Sequence, residues 1–225
     1  MKLRNKVKLF ITCDSGAGAG KTTASKYLSK KFGLDLLTSG LLYRYVAYKL
    51  LTTKRNTNDF FFLKKITKNI KPNLLKNLKL YSPEVTDFTV KISKIKKIRQ
   101  LLKGYQKKFA SKKLVIIEGR DIGILFPNAD IKFFFKCSLK VAAKRRFKEF
   151  KKVNNKITLK KVEKAMKQRN HIDSTRKISP LRIPRGAVIV DTTKLDKKQM
   201  YRRIFKAVEN KLILKYGSNF KTGKK

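Results

Sequence analysis

The chain has 225 residues and carries 59 Lys and Arg against 14 Asp and Glu, a formal net charge of +45 at pH 7. That length suffices to bury one core with small insertions, its two Cys exclude a disulfide framework, and no apolar run approaches the ~20 residues of a membrane span. Only 13 of the basic residues are Arg, and the Lys are spread over nearly every segment, so the charge reads as a trend of the whole composition; no specific nucleic-acid or membrane partner is expected.

Residues 6–13 (KVKLFITC) form a β-rich apolar run that delivers the chain into the glycine-rich turn DSGAGAG. A helix follows over 21–32, with Ala24, Tyr27, Leu28 and Phe32 at helical spacing and Gly33 as its C-cap. A short strand is predicted at 34–37 and a helix at 41–51. The Lys/Asn-rich stretch 52–82, broken by Pro72, reads as a small inserted lobe. Pro83 suits a helix's first turn, and the spacing of Val85, Phe88, Ile92, Ile95 and Leu102 predicts one helix to about Ala110, bent near Gly104.

The continuous apolar runs at 114–117 and 131–135 have the pattern of strands covered on both faces. Helices are predicted at 139–150 and 159–170, a last strand at 187–190, and a helix at 196–214 before a basic tail, 215–225. Alternation of strands and helices makes this a single α/β domain, 1–225, with about five parallel strands and its ligand sites beyond their carboxyl ends. Cys13 and Cys137 sit in apolar runs and read as core thiols of a reducing, cytoplasmic compartment.

Ser15, Gly16, Ala17, Gly18, Ala19, Gly20, Lys21, Thr22 and Thr23 supply what a phosphate-binding loop needs: a strand, a glycine-rich turn whose amides wrap phosphate oxygens, a Lys for the β- and γ-phosphates, and a hydroxyl for Mg²⁺. Ser15 stands where such loops have their first Gly, so either Ser15 takes a conformation natural to Gly or Gly16 absorbs the turn. Such a loop serves kinases, GTPases and ATPases alike and leaves the acceptor open.

Five further segments are more selective: LLTSGLLYR (36–44), EGRDIG (118–123), FPNADIKFF (126–134), Arg169-x-x-x-Asp173-x-x-Arg176 running on to Pro180 and Leu181, and VDTTKL (190–195). In order and spacing they resemble bacterial cytidylate kinases, of the P-loop nucleoside-monophosphate-kinase superfamily, over most of the chain outside 52–82. The resemblance implies a P-loop kinase fold with a shortened acceptor-binding insertion at 52–82 and a lid at 145–170. It implies a monomer moving the γ-phosphate of ATP onto CMP, or dCMP, with Mg²⁺; the alternatives are a nucleoside monophosphate kinase with UMP or a broader acceptor range, and a non-catalytic basic P-loop protein that binds nucleic acid.

Carried onto this chain, the family pattern implies that Arg44, Arg120, Arg169 and Arg176 hold phosphates, Lys21 acts with them in transfer, and Arg99 and Asp121 read cytosine. The same resemblance implies that Asp173 binds ribose, that Ser39 and Tyr43 line the acceptor, and that Thr22 and Glu118 serve Mg²⁺, Glu118 through water. Phosphoryl transfer between two anions calls for guanidinium forks, and these Arg stand out in a Lys-dominated chain. Two positions depart from the pattern: Glu118 stands in place of Asp, and Val90 replaces the cytosine-contacting Ser nine residues before Arg99. His171, the sole His, is read as a bystander.

Overall fold

The structure is a computed structural model and describes residues 3–151 and 157–221. Residues 152–156 of the expected lid and 222–225 of the expected tail lie outside the described residues. The chain forms two compact units, one made of residues 1–37 and 113–225, the other of residues 38–112.

The first unit is built on a parallel sheet of five strands, β1 (Leu9–Ser15), β2 (Asp35–Thr38), β3 (Leu114–Gly119), β4 (Ile131–Lys136) and β5 (Val188–Asp191), in the order β2-β3-β1-β4-β5. β1 lies at the centre, parallel to β3 on one side and β4 on the other. The chain builds the sheet first to one side of β1 and then to the other, so the end of β1 is the topological switch point where ligands bind in such sheets. The central strands carry long apolar runs and turn polar mainly near their carboxyl ends: Leu9, Ile11, Ile116, Phe133 and Phe135 share one buried core with residues of α1 (Lys21–Phe32) and α9 (Lys197–Tyr216).

α1 starts and stops where the sequence places it. Gly33 takes the left-handed conformation (φ 68°) and its N–H donates to Ser29 O, closing the last turn. Aspartate and glutamine build a capping box at the start of α9, Asp196 accepting from Gln199 N while Gln199 accepts from Asp196 N. Past the short helix α6 (Ile122–Leu125), α7 (Leu139–Lys151) and α8 (Leu159–Thr175) pack together through Ala142, Ala143, Val162 and Met166. α8 runs past the predicted end at 170, which places Arg169 and Asp173 on one helix face, one turn apart.

The second unit is helical: α2 (Ser39–Thr52), α3 (Phe60–Lys68), two 3₁₀ turns (Pro72–Lys76 and Leu78–Tyr81), α4 (Pro83–Ile92) and α5 (Lys96–Ala110). Segment 52–82 forms its middle. The single helix expected from Pro83 to Ala110 is instead two, and the break is at Ser93–Ile95 rather than at Gly104, which α5 passes through. Ser93 Oγ donates to Val90 O, drawing the last turn of α4 onto a side chain, and Ile95 is extended (φ −79°, ψ 116°) as the N-cap of α5. Arg99 Nη1 donates to Ser93 O at 3.1 Å and secures the junction.

Candidate functional site

The loop at the end of β1 takes its turn at Gly18 and Gly20, whose φ values of 70° and 87° are left-handed. Neither Ser15 nor Gly16 has a positive φ, so neither alternative expected for the substituted first position applies. Ser15 ends β1 fully buried and donates its Oγ–H to Gly16 O at 2.7 Å, an unstrained position for a serine. Gly18 is required twice over, since a Cβ there would meet Met166 Cε at 2.9 Å and Ala142 O at 3.0 Å. Gly20 caps α1, so the loop amides and the helix N-terminus sit together, a ready site for phosphate.

Lys21 opens α1 and keeps part of its surface exposed, yet its ammonium is desolvated enough that its pKa falls to about 8. Glu118, buried near the end of β3, opposes that fall, and the nearby Arg120 and Arg169 add to it. Thr22 is exposed in the first turn of α1. Among the described residues no group of three or more His, Cys, Asp or Glu is placed to hold a metal. One hydroxyl and one buried carboxylate beside the phosphate loop suit a hard divalent cation whose remaining ligands are phosphate oxygens and water.

Arg120, Asp121, Arg169, Asp173 and Arg176 form one cluster. Asp173, its side chain 6% exposed, has Arg120 Nη1 2.7 Å and Arg169 Nε 3.9 Å from Oδ2 and accepts from Arg176 Nη1 at 3.2 Å on Oδ1. Arg176 Nη2 lies 3.4 Å from Asp121 Oδ1, and its Nε donates to Ser179 O at 2.6 Å. Ser179 holds a left-handed φ of 50°, a costly conformation for Ser, and offers its carbonyl to that guanidinium. Three guanidiniums face two carboxylates, leaving a positive excess in a desolvated place. Burial, reinforced by Arg169 and Arg176, pulls the Arg120 pKa down to about 10, and burial lowers that of Arg169. Arg120 Nη1 and Asp173 Oδ2 are close in distance but lack hydrogen-bond alignment, as do Arg169 Nε and Arg176 Nη2. Such a cluster is built to gain from an anion.

In the helical unit, Ser39 Oγ accepts from Gln106 Nε2 at 2.6 Å, both buried. Arg44 Nη1 donates to Leu80 O at 2.7 Å and Thr86 Oγ1 at 2.8 Å, and its guanidinium lies over Tyr81, 5.2 Å from the ring centre. Arg99 lies over Tyr43 at 5.6 Å. The structure thus gathers Ser39, Tyr43, Arg44 and Arg99 within the helical unit, and Lys21, Glu118, Arg120, Asp121, Arg169, Asp173 and Arg176 within the sheet unit. Val90 is half-buried, and the neighbouring Thr89 hydroxyl is committed to Val85 O at 2.6 Å. His171 is exposed.

Two residues of this region escape a reading of the sequence. Asp14, fully buried at the end of β1, accepts from Ile122 N at 2.8 Å and Gly123 N at 2.6 Å, fixing the segment that follows Arg120 and Asp121. Burial raises its pKa to about 7 against the lowering effect of those two bonds. Asn170, beside Arg169, accepts from Ala17 N at 2.9 Å. The available signals are an acidic residue ending an apolar strand and an amide inside an Arg-x-x-x-Asp motif; neither names its partner.

A family model described as cytidylate kinase matches residues 11–210. The chain is 34% identical to the cytidylate kinase of Fusobacterium nucleatum, over 89% of this chain and 97% of that one. It is 32% identical to the cytidylate kinase of Caldanaerobacter subterraneus, over 88% and 93%. A crystal structure of an uncharacterized protein from Eubacterium ventriosum shares the fold at a TM-score of 0.54 and 16% identity, covering 90% of this chain and 99% of that one. With the phosphate loop, the desolvated Arg cluster and a match spanning nearly its whole length, the chain belongs to the cytidylate kinase family.

Proposed function

We propose that the protein transfers the γ-phosphoryl group of ATP to CMP, and also to dCMP, giving ADP and the nucleoside diphosphate. The observation that carries this reading is the desolvated cluster of Arg120, Arg169 and Arg176 around Asp173, in the same unit as a phosphate loop ending in Lys21. The reaction joins two polyanions and needs charge neutralised out of water, with no nucleophilic side chain.

Lys21 and the loop amides bind the ATP phosphates, and Arg120, Arg169 and Arg176 hold the transferred and acceptor phosphates. Asp173 orients the ribose while holding the guanidiniums in register. Arg44, Ser39 and Tyr43 act on the acceptor, and Arg99 and Asp121 select the base. A carboxylate and a guanidinium can each meet one of the amino and carbonyl groups of cytosine, whereas a uracil edge sets an acceptor against the carboxylate. Thr22, and Glu118 through water, would hold Mg²⁺, which would supply charge neutralisation for the phosphates. Segment 52–82 is the acceptor-binding insertion, 145–170 the lid, and the working form is a cytoplasmic monomer without a nucleic-acid or membrane partner. No helix among the described residues is long and apolar enough to cross a membrane.

The test is an ADP-release assay with CMP, dCMP, UMP and AMP as acceptors. Turnover with CMP and dCMP well above that with UMP and AMP is expected; ADP release that no acceptor stimulates overturns the reading.

A further inference from the structure

The amide of Ala17 lies in the phosphate loop, and its hydrogen bond is made to α8. Asn170 Oδ1 accepts it at 2.9 Å, and the Asn170 side-chain amide packs on the loop backbone so tightly that a Cβ at Gly16 would stand 3.1 Å from Oδ1 and 3.3 Å from Nδ2. One turn earlier on α8, Met166 Cε fills the space over Gly18. α8 therefore touches the loop at two successive points, and the same helix carries Arg169 and Asp173. The loop strand and α8 are far apart in sequence, 153 residues between Ala17 and Asn170, so this bond is a direct tie between the donor's cradle and the guanidinium cluster.

We propose that Asn170 is a positioning residue for the phosphate donor. By holding the Ala17 amide, it keeps the Gly16–Gly18 arc of the loop open to phosphate and fixes that arc in register with the Arg169–Asp173 face. The position demands a short side chain with an acceptor two bonds beyond Cβ, since Gly16 leaves no room for a longer arm. Asparagine meets this without adding a negative charge beside the ATP phosphates. The inference deepens the kinase reading above and rests on it.

The experiment compares wild type, Asn170→Ala and Asn170→Asp for binding of a β,γ-methylene analogue of ATP by calorimetry, and for KM of ATP and CMP in the ADP-release assay. Asn170→Ala should weaken analogue binding and raise the ATP KM by roughly tenfold, the equivalent of one hydrogen bond, with the CMP KM within about twofold of wild type. Asn170→Asp keeps the acceptor but adds a negative charge beside the phosphates, so it should recover only part of that loss. Unchanged or tighter ATP binding in Asn170→Ala, or equal rises in both KM values, overturns the proposal, because a merely structural residue would move both substrates or only the unfolding temperature. Asn170→Ser, which shortens the arm without emptying the position, gives the same comparison if the alanine variant does not fold. Wild type that fails to bind the analogue sinks the kinase reading together with this one; wild-type binding with an indifferent Asn170→Ala sinks this one alone.

Discussion

Asp173→Asn tests the electrostatic logic of the site most directly. The substitution preserves shape and removes the charge that holds Arg120 at 2.7 Å and Arg176 at 3.2 Å, in a place where the Asp173 and Arg176 side chains are each 6% exposed and Arg120 14%. Arg169, at 3.9 Å the most distant of the three and 32% exposed, contributes less. Removing one partner of a buried pair costs about 3–5 kcal/mol, because the remaining charge is desolvated without compensation. For a chain of this size each kcal/mol shifts the unfolding temperature by ~2–4 °C, so a drop of about 10 °C is expected. Differential scanning calorimetry of wild type and variant, with and without phosphate, measures it. An added anion should restore more stability to the variant than it gives wild type, since it replaces the lost counter-charge. A variant within ~2 °C of wild type, or one that phosphate does not stabilise further, would refute the claim that the guanidiniums are crowded and short of negative charge.

Three other outcomes follow from separate features. The folded-state pKa of Asp14 is raised from 3.8 to about 7, so between those values the folded chain holds a proton that the unfolded chain has lost, and stability falls as pH rises through that window; Asp14→Asn should flatten this slope in urea unfolding curves taken from pH 4 to 7. Lys21 is depressed from 10.5 to about 8, so between those values the unfolded chain holds the extra proton and its contribution to stability rises with pH, while ATP binding should weaken above about pH 8 as the free ammonium is lost; a flat binding profile to pH 9.5 would count against Lys21 as the phosphate ligand. Gly104→Ala in α5, where an added Cβ meets nothing within 4 Å, should stabilise by roughly 0.5–1 kcal/mol, whereas Gly123→Ala would drive a methyl against Pro184 Cγ at 2.5 Å and should destabilise by roughly 1–3 kcal/mol, both read from denaturant midpoints.

The elements most legible in the sequence are those whose signals are local. α1 is found to the residue because Gly20, Lys21 and Gly33 mark its ends, and the strands β3 and β4 because continuous apolar runs admit few alternatives. The break after Ile92 is not legible, since the apolar spacing continues across Ser93–Ile95 and the side-chain bonds that open the helix leave no trace in periodicity. The site divides in the same manner. Arg120, Arg169, Asp173 and Arg176 stand out because Arg is scarce in a Lys-rich chain and the spacing matches a family. Asp14 and Asn170 do not, because what defines each is a backbone amide 108 or 153 residues away. That the left-handed turns fall at Gly18 and Gly20 is likewise not legible, since Gly16 could equally take one and the crowding of Gly18 by Met166 and Ala142 exists only in the folded chain.

The central place of β1 has a dynamic meaning. Its backbone is paired on both edges, Ile11 through Asp14 being in register with β3 and β4 alike. Such amides exchange with solvent only when the whole sheet opens, so the phosphate loop hangs from a segment whose local unfolding free energy equals that of the unit itself. The loop itself is only the few residues between Ser15 and Lys21. Protection from hydrogen exchange should therefore fall from its highest along β1 to low values past Ala17, whose amide Asn170 holds, and the binding of ATP should slow exchange of the loop amides alone.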